Sequence, residues 1–477
     1  MERNMVPLRF LERMRQLLGD EYAAFEEAYS SPLRRGLRVN TLKCDPARLE
    51  RYFAGRLEPT VFSEAGYVLS GDHRAGADPL HHAGAYYMQE PSAMSAVTVL
   101  APQPGERVLD LCAAPGGKST QIAAALGGRG LLWSNEYVRS RAQILCQNLE
   151  RCGVTNAVVS STDAVTLGEG LAGYFDAVLV DAPCSGEGMF RKEPAAIEQW
   201  SEDYLRLCAA RQREILAAAA AAVRSGGRLV YSTCTFAPEE NECVVAWFLH
   251  ARPDFHLVEL GSREIAFGMP AFDWERVAPF APSDVDGRGL PLSRARRILP
   301  QQGGEGHFVA LLEREESGDA DAPRPYEYPK KDTNSIELSK LYELCFGNPL
   351  PGRVVTTGEA VRLLPEGLPR LDRLGVLSAG VAAAAICKNR LEPCHAVFMA
   401  ARVADCRRVL DLSPEDLRLT AFLRGETVGC DDIPDGWTAV AVDGVVTGFG
   451  KAVGGVLKNR YPKGLRLRQS GVRQSGG

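Results

Sequence analysis

Apolar β-type runs alternate with helix-period segments from residue 107 to residue 313, and this alternation restricts the fold more than any other feature of the chain. Strands are predicted at 107–111, 130–135, 157–160, 175–181, 227–232, 255–260 and 307–313. Helices are predicted between most of them, at 118–126, 138–152, 201–224 and 238–251. The third carries alanine at every position from 217 to 222, a strong helix-forming run. Such alternation implies an α/β protein with a parallel, doubly wound sheet of seven strands, the last two paired like a hairpin. Strand C-termini in that architecture open on one crevice, so residues just after strands are the candidates for chemistry.

Two cysteines occupy such positions. Cys184, in Asp181-Ala-Pro-Cys-Ser-Gly186, follows the apolar run 177–180, and Cys234, in Ser232-Thr-Cys-Thr-Phe236, follows 229–231. With Asp181 they bring two thiols and a carboxylate to one crevice. That set suits covalent chemistry on an electrophilic ring better than disulfide formation.

The first strand runs into Asp110-Leu-Cys-Ala-Ala-Pro-Gly-Gly-Lys-Ser119. A glycine turn between strand and helix lets backbone amides approach a ligand at the helix N-terminus. The loop is not a phosphate-binding P-loop, because that pattern needs glycine where Cys112 stands. A nucleoside ligand fits better. Glu136 follows the second strand, near the offset of ~20 residues at which a carboxylate meets ribose hydroxyls. Asp163, after the third strand, is placed either to accept from an adenine amino group or to serve as an ordinary turn residue. Lys118 is either a solvated helix-start lysine or a contact for a carboxylate or phosphate.

Composition excludes several classes. The chain has 477 residues, 45% apolar and 24% charged, ordinary for soluble protein and enough for several domains. It contains neither a long apolar span nor a secretory leader pattern, so a cytoplasmic protein without a membrane partner is expected. Thirteen scattered cysteines with no Cys-x-x-Cys spacing argue for reduced thiols and against a metal site. The net charge of −5 conceals two basic clusters, Arg288 with Arg294, Arg296 and Arg297, and a run from Lys451 to Arg473 without acids. Both are compatible with nucleic-acid phosphates.

Along the chain, 1–100 reads as an N-terminal α/β cap and 101–314 as the doubly wound domain. A charged, proline-bearing linker follows at 315–335. Residues 336–425 read as a small α+β domain, 426–468 as glycine-punctuated β structure, and 469–477 as a disordered tail.

The motifs Ala113-Ala-Pro-Gly-Gly-Lys118, Asp181-Ala-Pro-Cys-Ser-Gly186 and Ser232-Thr-Cys-Thr235, in this order, resemble the Nop/Sun family of S-adenosylmethionine-dependent RNA 5-methylcytosine methyltransferases. The stretch 35–43, Gln89-Glu-Pro-Ser92, Glu239-Glu-Asn-Glu242 and the region 296–308 are similar too. Gly375-Val-Leu-Ser-Ala-Gly380, Leu423-Arg-Gly-Glu426 and Leu457-Lys-Asn-Arg-Tyr-Pro462 resemble the small-subunit rRNA methyltransferase F subgroup, whose last segment is a PUA-like RNA-binding module. The resemblance implies a class I methyltransferase sheet, S-adenosylmethionine as cofactor and small-subunit rRNA, naked or assembled, as partner. It assigns nucleophilic attack to Cys234 and release to Cys184, with Asp181 and Lys118 beside them. The expected cofactor-binding set is Cys112, Ala113, Ala114, Pro115, Gly116, Gly117, Lys118, Glu136, Arg141, Asp163 and Asp181. A monomer is expected. The same chemistry on tRNA and a non-catalytic rRNA-binding assembly factor are the rival readings. DNA is disfavoured because Thr233-Cys234-Thr235 marks the RNA class.

Overall fold

The computed structural model describes residues 6–261, 266–318, 323–330, 332–348, 350–388 and 390–467. Its centre is a ten-stranded mixed sheet. In chain order the strands are β1 (Arg107–Asp110), β2 (Leu131–Asn135), β3 (Ala157–Ser160), β4 (Phe175–Asp181), β5 (Val223–Thr233), β6 (Phe255–Leu257), β7 (Met269–Pro270), β8 (Arg296–Ile298), β9 (His307–Arg314) and β10 (Val376–Ala379). They lie side by side as β7-β8-β9-β5-β4-β1-β2-β3-β10, with β6 also paired to β9. The pairings among β1 to β5 are parallel. Those involving β6 to β10 are antiparallel.

Chain order reverses at β1, with β2 and β3 on one side and β4 and β5 on the other. That is the switch point at which an open α/β sheet leaves a crevice beyond its strand C-termini. The strands there are apolar on both faces because both are covered. Helices α1 (Gly117–Leu126) and α2 (Arg139–Arg151) bury Ile122, Leu126, Leu145 and Leu149 on one face. Helices α3 (Glu202–Ala222) and α4 (Glu242–Ala251) bury Leu216, Ala220, Val244 and Phe248 on the other. Ser201 caps α3 by accepting from the Tyr204 amide, with Glu202 and Asp203 in the first turn, which stops the helix fraying at its start.

The seven predicted strands are present, and β7, β8 and β10 are additional. The first two are too short to give a periodic signal. The third comes from the segment expected in a separate small domain. Residues 376–379 pair with β3 and cover an edge that would otherwise stay open. Gly375 and Gly380 bracket the strand with positive φ, and a Cβ on Gly380 would stand 1.9 Å from the Leu363 carbonyl oxygen. The expected linker is likewise laid down on the fold. Tyr326 donates its amide to the Leu368 carbonyl, Arg324 accepts from the Arg370 amide, and Tyr326 and Tyr328 pack against the central core.

The N-terminal part forms a four-stranded antiparallel sheet, and helices Leu8–Leu18 and Tyr22–Ser30 seat Phe10, Met14 and Phe25 against Phe190 and Phe236, just past the two cysteines. A second four-stranded sheet continues directly from β10 through Val381–Cys387. The last sheet has five strands and includes Val409–Leu412, so a boundary at 425/426 would divide it. That sheet shares a core with the N-terminal one through Leu37, Val39, Val440 and Val442. The tail at 469–477 lies outside the described residues. No helix among the described residues is long and apolar enough to cross a membrane.

Candidate active site

Three loops meet where β1, β4 and β5 end, and each carries residues singled out from the sequence. After β1 the chain turns through Leu111 to Pro115, held by Leu111 N donating to the Leu179 carbonyl and Ala113 N to the Asn135 carbonyl. Gly116 caps α1 with φ at +115°, a conformation that disfavours any side chain. Arg38 of the N-terminal sheet supports this turn from behind, donating to the Gly117 carbonyl at 3.2 Å and to Thr120 Oγ1 at 2.7 Å. Arg141 donates to the Ala114 carbonyl at 3.0 Å and lies 3.3 Å from Glu136 Oε2, so it ties the loop to Glu136. Glu136 is buried, and its other oxygen accepts from the Val138 amide.

The lining is acidic. Burial pushes the Asp110 carboxyl up to about 7 against its hydrogen bond from Ser119. Burial, then Asp110, Asp181 and Glu136, push the Cys112 thiol well above its ordinary range. Asp163 stands apart from this group. It is exposed, and both its oxygens accept from Thr166 to cap the next helix, which is the turn role.

After β4 and β5 the two cysteines face each other, Sγ to Sγ, at 3.3 Å. That hydrogen bond, with burial, raises the Cys184 thiol well above its ordinary range. Asp181 is in register with Ser232 and accepts from its hydroxyl at 2.8 Å, while Lys118 Nζ lies 2.7 Å from the other oxygen. Burial alone would raise the Asp181 carboxyl, but Lys118, His307 and Ser232 outweigh it and hold it below the usual carboxylate range. Burial in turn lowers Lys118, and Asp181 more than reverses that. The site therefore rests as a carboxylate and an ammonium, with 29% of the Asp181 side chain open to the crevice.

The loops touch backbone to backbone. A Cβ on Gly188 would stand 2.9 Å from both the Cys234 and Gly306 carbonyl oxygens, so only glycine permits this approach. Buried acids fix them further. Glu187 accepts from Thr235 Oγ1, the Phe236 amide and Trp200 Nε1. Glu240 accepts from the Ser185 amide and hydroxyl and from Gln212. Four groups of this site escape sequence reasoning: Ser232, His307, and the two acids Glu187 and Glu240. The detectable signal is strand phase. His307 is in phase with Val309 and Leu311, and Ser232 with Val230, all towards the face that carries Asp181.

Burial pushes Glu240 up to about 8 against its donors, so the folded protein holds a proton that an ordinary carboxyl releases near pH 4.3. Stability from this group is complete below that ordinary pKa and is lost as pH rises through about 8, by at most roughly 1.4 kcal/mol per pH unit. Glu240→Gln should flatten that decline. Urea midpoints taken at about pH 5 and pH 8 test this, and an unchanged slope in the variant would assign the pH dependence elsewhere.

One expected basic patch is not a patch. Arg297 is 2% exposed and forms a bidentate pair with Glu242 inside the core, and Arg296 is also buried. Arg288 pairs with Asp286, and Arg294 donates to the Leu257 carbonyl. At the other cluster Lys451 and Lys458 are exposed on adjoining strands, and Arg460, exposed just past the second, also pairs with Glu392 at 3.4 Å. Lys451 and Arg460 stand over the Trp437 ring at 5.4 and 5.8 Å, a basic strip with an aromatic at its centre.

The family model for 16S rRNA methyltransferase RsmB/F matches residues 97–313. Models for the RsmF N-terminal domain, the RsmF first C-terminal domain and the RsmF PUA domain match 6–91, 340–400 and 409–467. The chain is 33% identical to ribosomal RNA small subunit methyltransferase F of Escherichia coli O157:H7 over 96% of each chain. It is 31% identical to the protein of the same name from Vibrio vulnificus strain YJ016, over 96% of this chain and 97% of that one. Among solved structures, a methyltransferase homologue from Pyrococcus horikoshii is 30% identical with a TM-score of 0.55, over 65% of this chain and 96% of the other. The central sheet is thus the methyltransferase fold and the five-stranded sheet the PUA-like module. With four domain models in register and a full-length likeness, the chain belongs to the ribosomal RNA small subunit methyltransferase F family.

Proposed function

We propose that this protein transfers a methyl group from S-adenosylmethionine to C5 of a cytosine in small-subunit rRNA, with Cys234 as nucleophile. The observation that carries the reading is the pair of sulfurs 3.3 Å apart beside the Asp181–Lys118 ion pair.

The glycine loop fits the cofactor. Asp110, Asp181 and Glu136 give an acidic lining suited to a ligand with sulfonium and ammonium charges, and Asp110 Oδ1 is buried with no hydrogen-bond partner among the described residues. Gly116, Gly117 and the α1 N-terminus would hold its amino-acid end, and Glu136 its ribose. When bound it supplies an electrophilic methyl group. Arg141 holds the loop through Ala114, and Asp163, whose oxygens each keep a second lone pair beside the capping bonds, would accept from the adenine amino group.

C5 of cytosine is a weak nucleophile. Addition of the Cys234 thiolate to C6 makes the ring enamine-like and C5 nucleophilic. Asp181 holds the N3/N4 edge, and the Lys118 ammonium offsets the negative charge formed there, where exclusion of water enlarges the effect. C5 takes the methyl group. Loss of the C5 proton to solvent then restores the C5–C6 double bond and returns the sulfur's electron pair to Cys234. Cys184, its sulfur 3.3 Å away, donates its thiol hydrogen towards that departing thiolate. The strip of Lys451, Lys458 and Arg460 around Trp437 supports RNA as partner, since cations track phosphates while an aromatic stacks a base.

Supplying labelled methyl donor with small-subunit rRNA, assembled subunits or tRNA, followed by bisulfite sequencing, tests the reading. It requires 5-methylcytosine in the rRNA. Label confined to tRNA, or at another atom, rejects it. Truncating Glu136 to alanine should weaken cofactor binding by roughly 1–3 kcal/mol, the range for hydrogen bonds to a charged group. Calorimetry giving unchanged affinity would remove Glu136 from the cofactor site.

A further inference from the structure

His307 opens β9 on the sheet face that carries Asp181 and Ser232, in phase with the apolar Val309 and Leu311. Its side chain is 3% exposed, and its Nε2 has no hydrogen-bond partner among the described residues. A core histidine ordinarily satisfies both ring nitrogens, because an unpaired buried polar atom costs free energy. Asp181 Oδ1 lies 3.8 Å from Nε2, beyond hydrogen-bond reach. Lys118, Asp181 and Glu90 are the charged groups that face the ring; burial and then Lys118 lower its pKa to about 4, so the imidazole is neutral. In the Nδ1–H tautomer Nε2 keeps a free lone pair, and it is Nε2 that lacks a partner.

Two acceptors 3.8 Å apart can both be reached by one nitrogen placed about 2.9 Å from each. A primary amine on a ring carries two hydrogens and is such a donor. Asp181 Oδ1 already accepts from Ser232, but a carboxylate oxygen has a second lone pair. We propose that His307 Nε2 and Asp181 Oδ1 together accept the two hydrogens of the exocyclic amino group of the target cytosine, making His307 a specificity-determining residue. Uracil offers a carbonyl oxygen at that point and meets two acceptors, so it is rejected by unpaired lone pairs. The inference rests on cytosine as the target base.

The test compares two rRNA fragments, one with cytosine at the mapped target and one with pyrimidin-2-one, which lacks the amino group and still adds a thiol at C6. Adduct formation with Cys234 is followed for the wild-type chain, for His307→Phe, which keeps a ring and removes the nitrogens, and for His307→Gln, which restores an acceptor. His307→Phe should lower the rate on cytosine by about 10- to 100-fold and leave the rate on pyrimidin-2-one within about two-fold. His307→Gln should recover part of the loss on cytosine alone. Equal losses on both bases would make His307 a packing residue, and no loss on either would likewise overturn the inference. Cofactor affinity measured alongside identifies a variant whose fold has failed; if His307→Phe fails in that way, the contrast between bases for His307→Gln decides. Absence of any adduct or 5-methylcytosine with the wild-type chain would instead defeat the underlying reaction.

Discussion

Cys184→Ala should give a protein that methylates its RNA and then fails to let go. In the proposed mechanism the adduct forms through Cys234, which the substitution leaves in place, and C5 takes its methyl group. Release requires the Cys234 sulfur to leave with its electron pair, and the group that would steady that thiolate is the Cys184 thiol, its sulfur 3.3 Å away. Removing it leaves the departing charge in a buried site without its donor. A protein–RNA species that survives denaturing gels should accumulate, at close to one RNA per active protein. Cys234→Ala should abolish methyl transfer, and the double variant should trap nothing. Two merely packed cysteines would each lower stability and neither would hold RNA. Trapping by Cys234→Ala, and not by Cys184→Ala, would reverse the assignment.

Asp181→Asn should cost on the order of 10²–10⁴ in single-turnover rate, the range for removing a charge-stabilising partner. The amide keeps the shape of the carboxylate but no longer neutralises Lys118, whose side chain is only 11% exposed. Lys118 owes its raised pKa to Asp181, because burial works against it. The variant should therefore lose charge at Lys118 and exchange one of the two acceptor oxygens for an NH2 donor, and raising pH should not recover the rate. A variant slowed less than about ten-fold would place the chemistry away from this ion pair.

The parallel half of the sheet was legible because its strands are buried on both faces and read as continuous apolar runs. β3 and β4 match their expected limits to the residue. The meeting of Cys184, Cys234, Asp181 and Lys118 was legible for a related reason: each lies at the C-terminal end of a strand or at the start of the next helix. What escaped depends on register between distant segments. Arg297 reads as surface charge until β8 is placed in the sheet and Glu242, 55 residues earlier, supplies its partner. Glu240 reads as one acid among several, and only the return of the Ser185 loop makes it a buried acceptor. His307 looks like a strand residue of no special kind until pairing sets it beside Asp181.

The strand contributed by residues 376–379 has a consequence for synthesis of the chain. The ribosome completes β9 at Arg314 about 60 residues before that strand emerges, several seconds at roughly 5–20 residues per second. During that interval β3 exposes a row of unpaired amides and carbonyls, the kind of template on which nascent chains aggregate. Expression trials that stop at the end of the catalytic segment would make this transient permanent. The central sheet is complete only once Ala379 has been made, beyond the segment that composition marks as a linker.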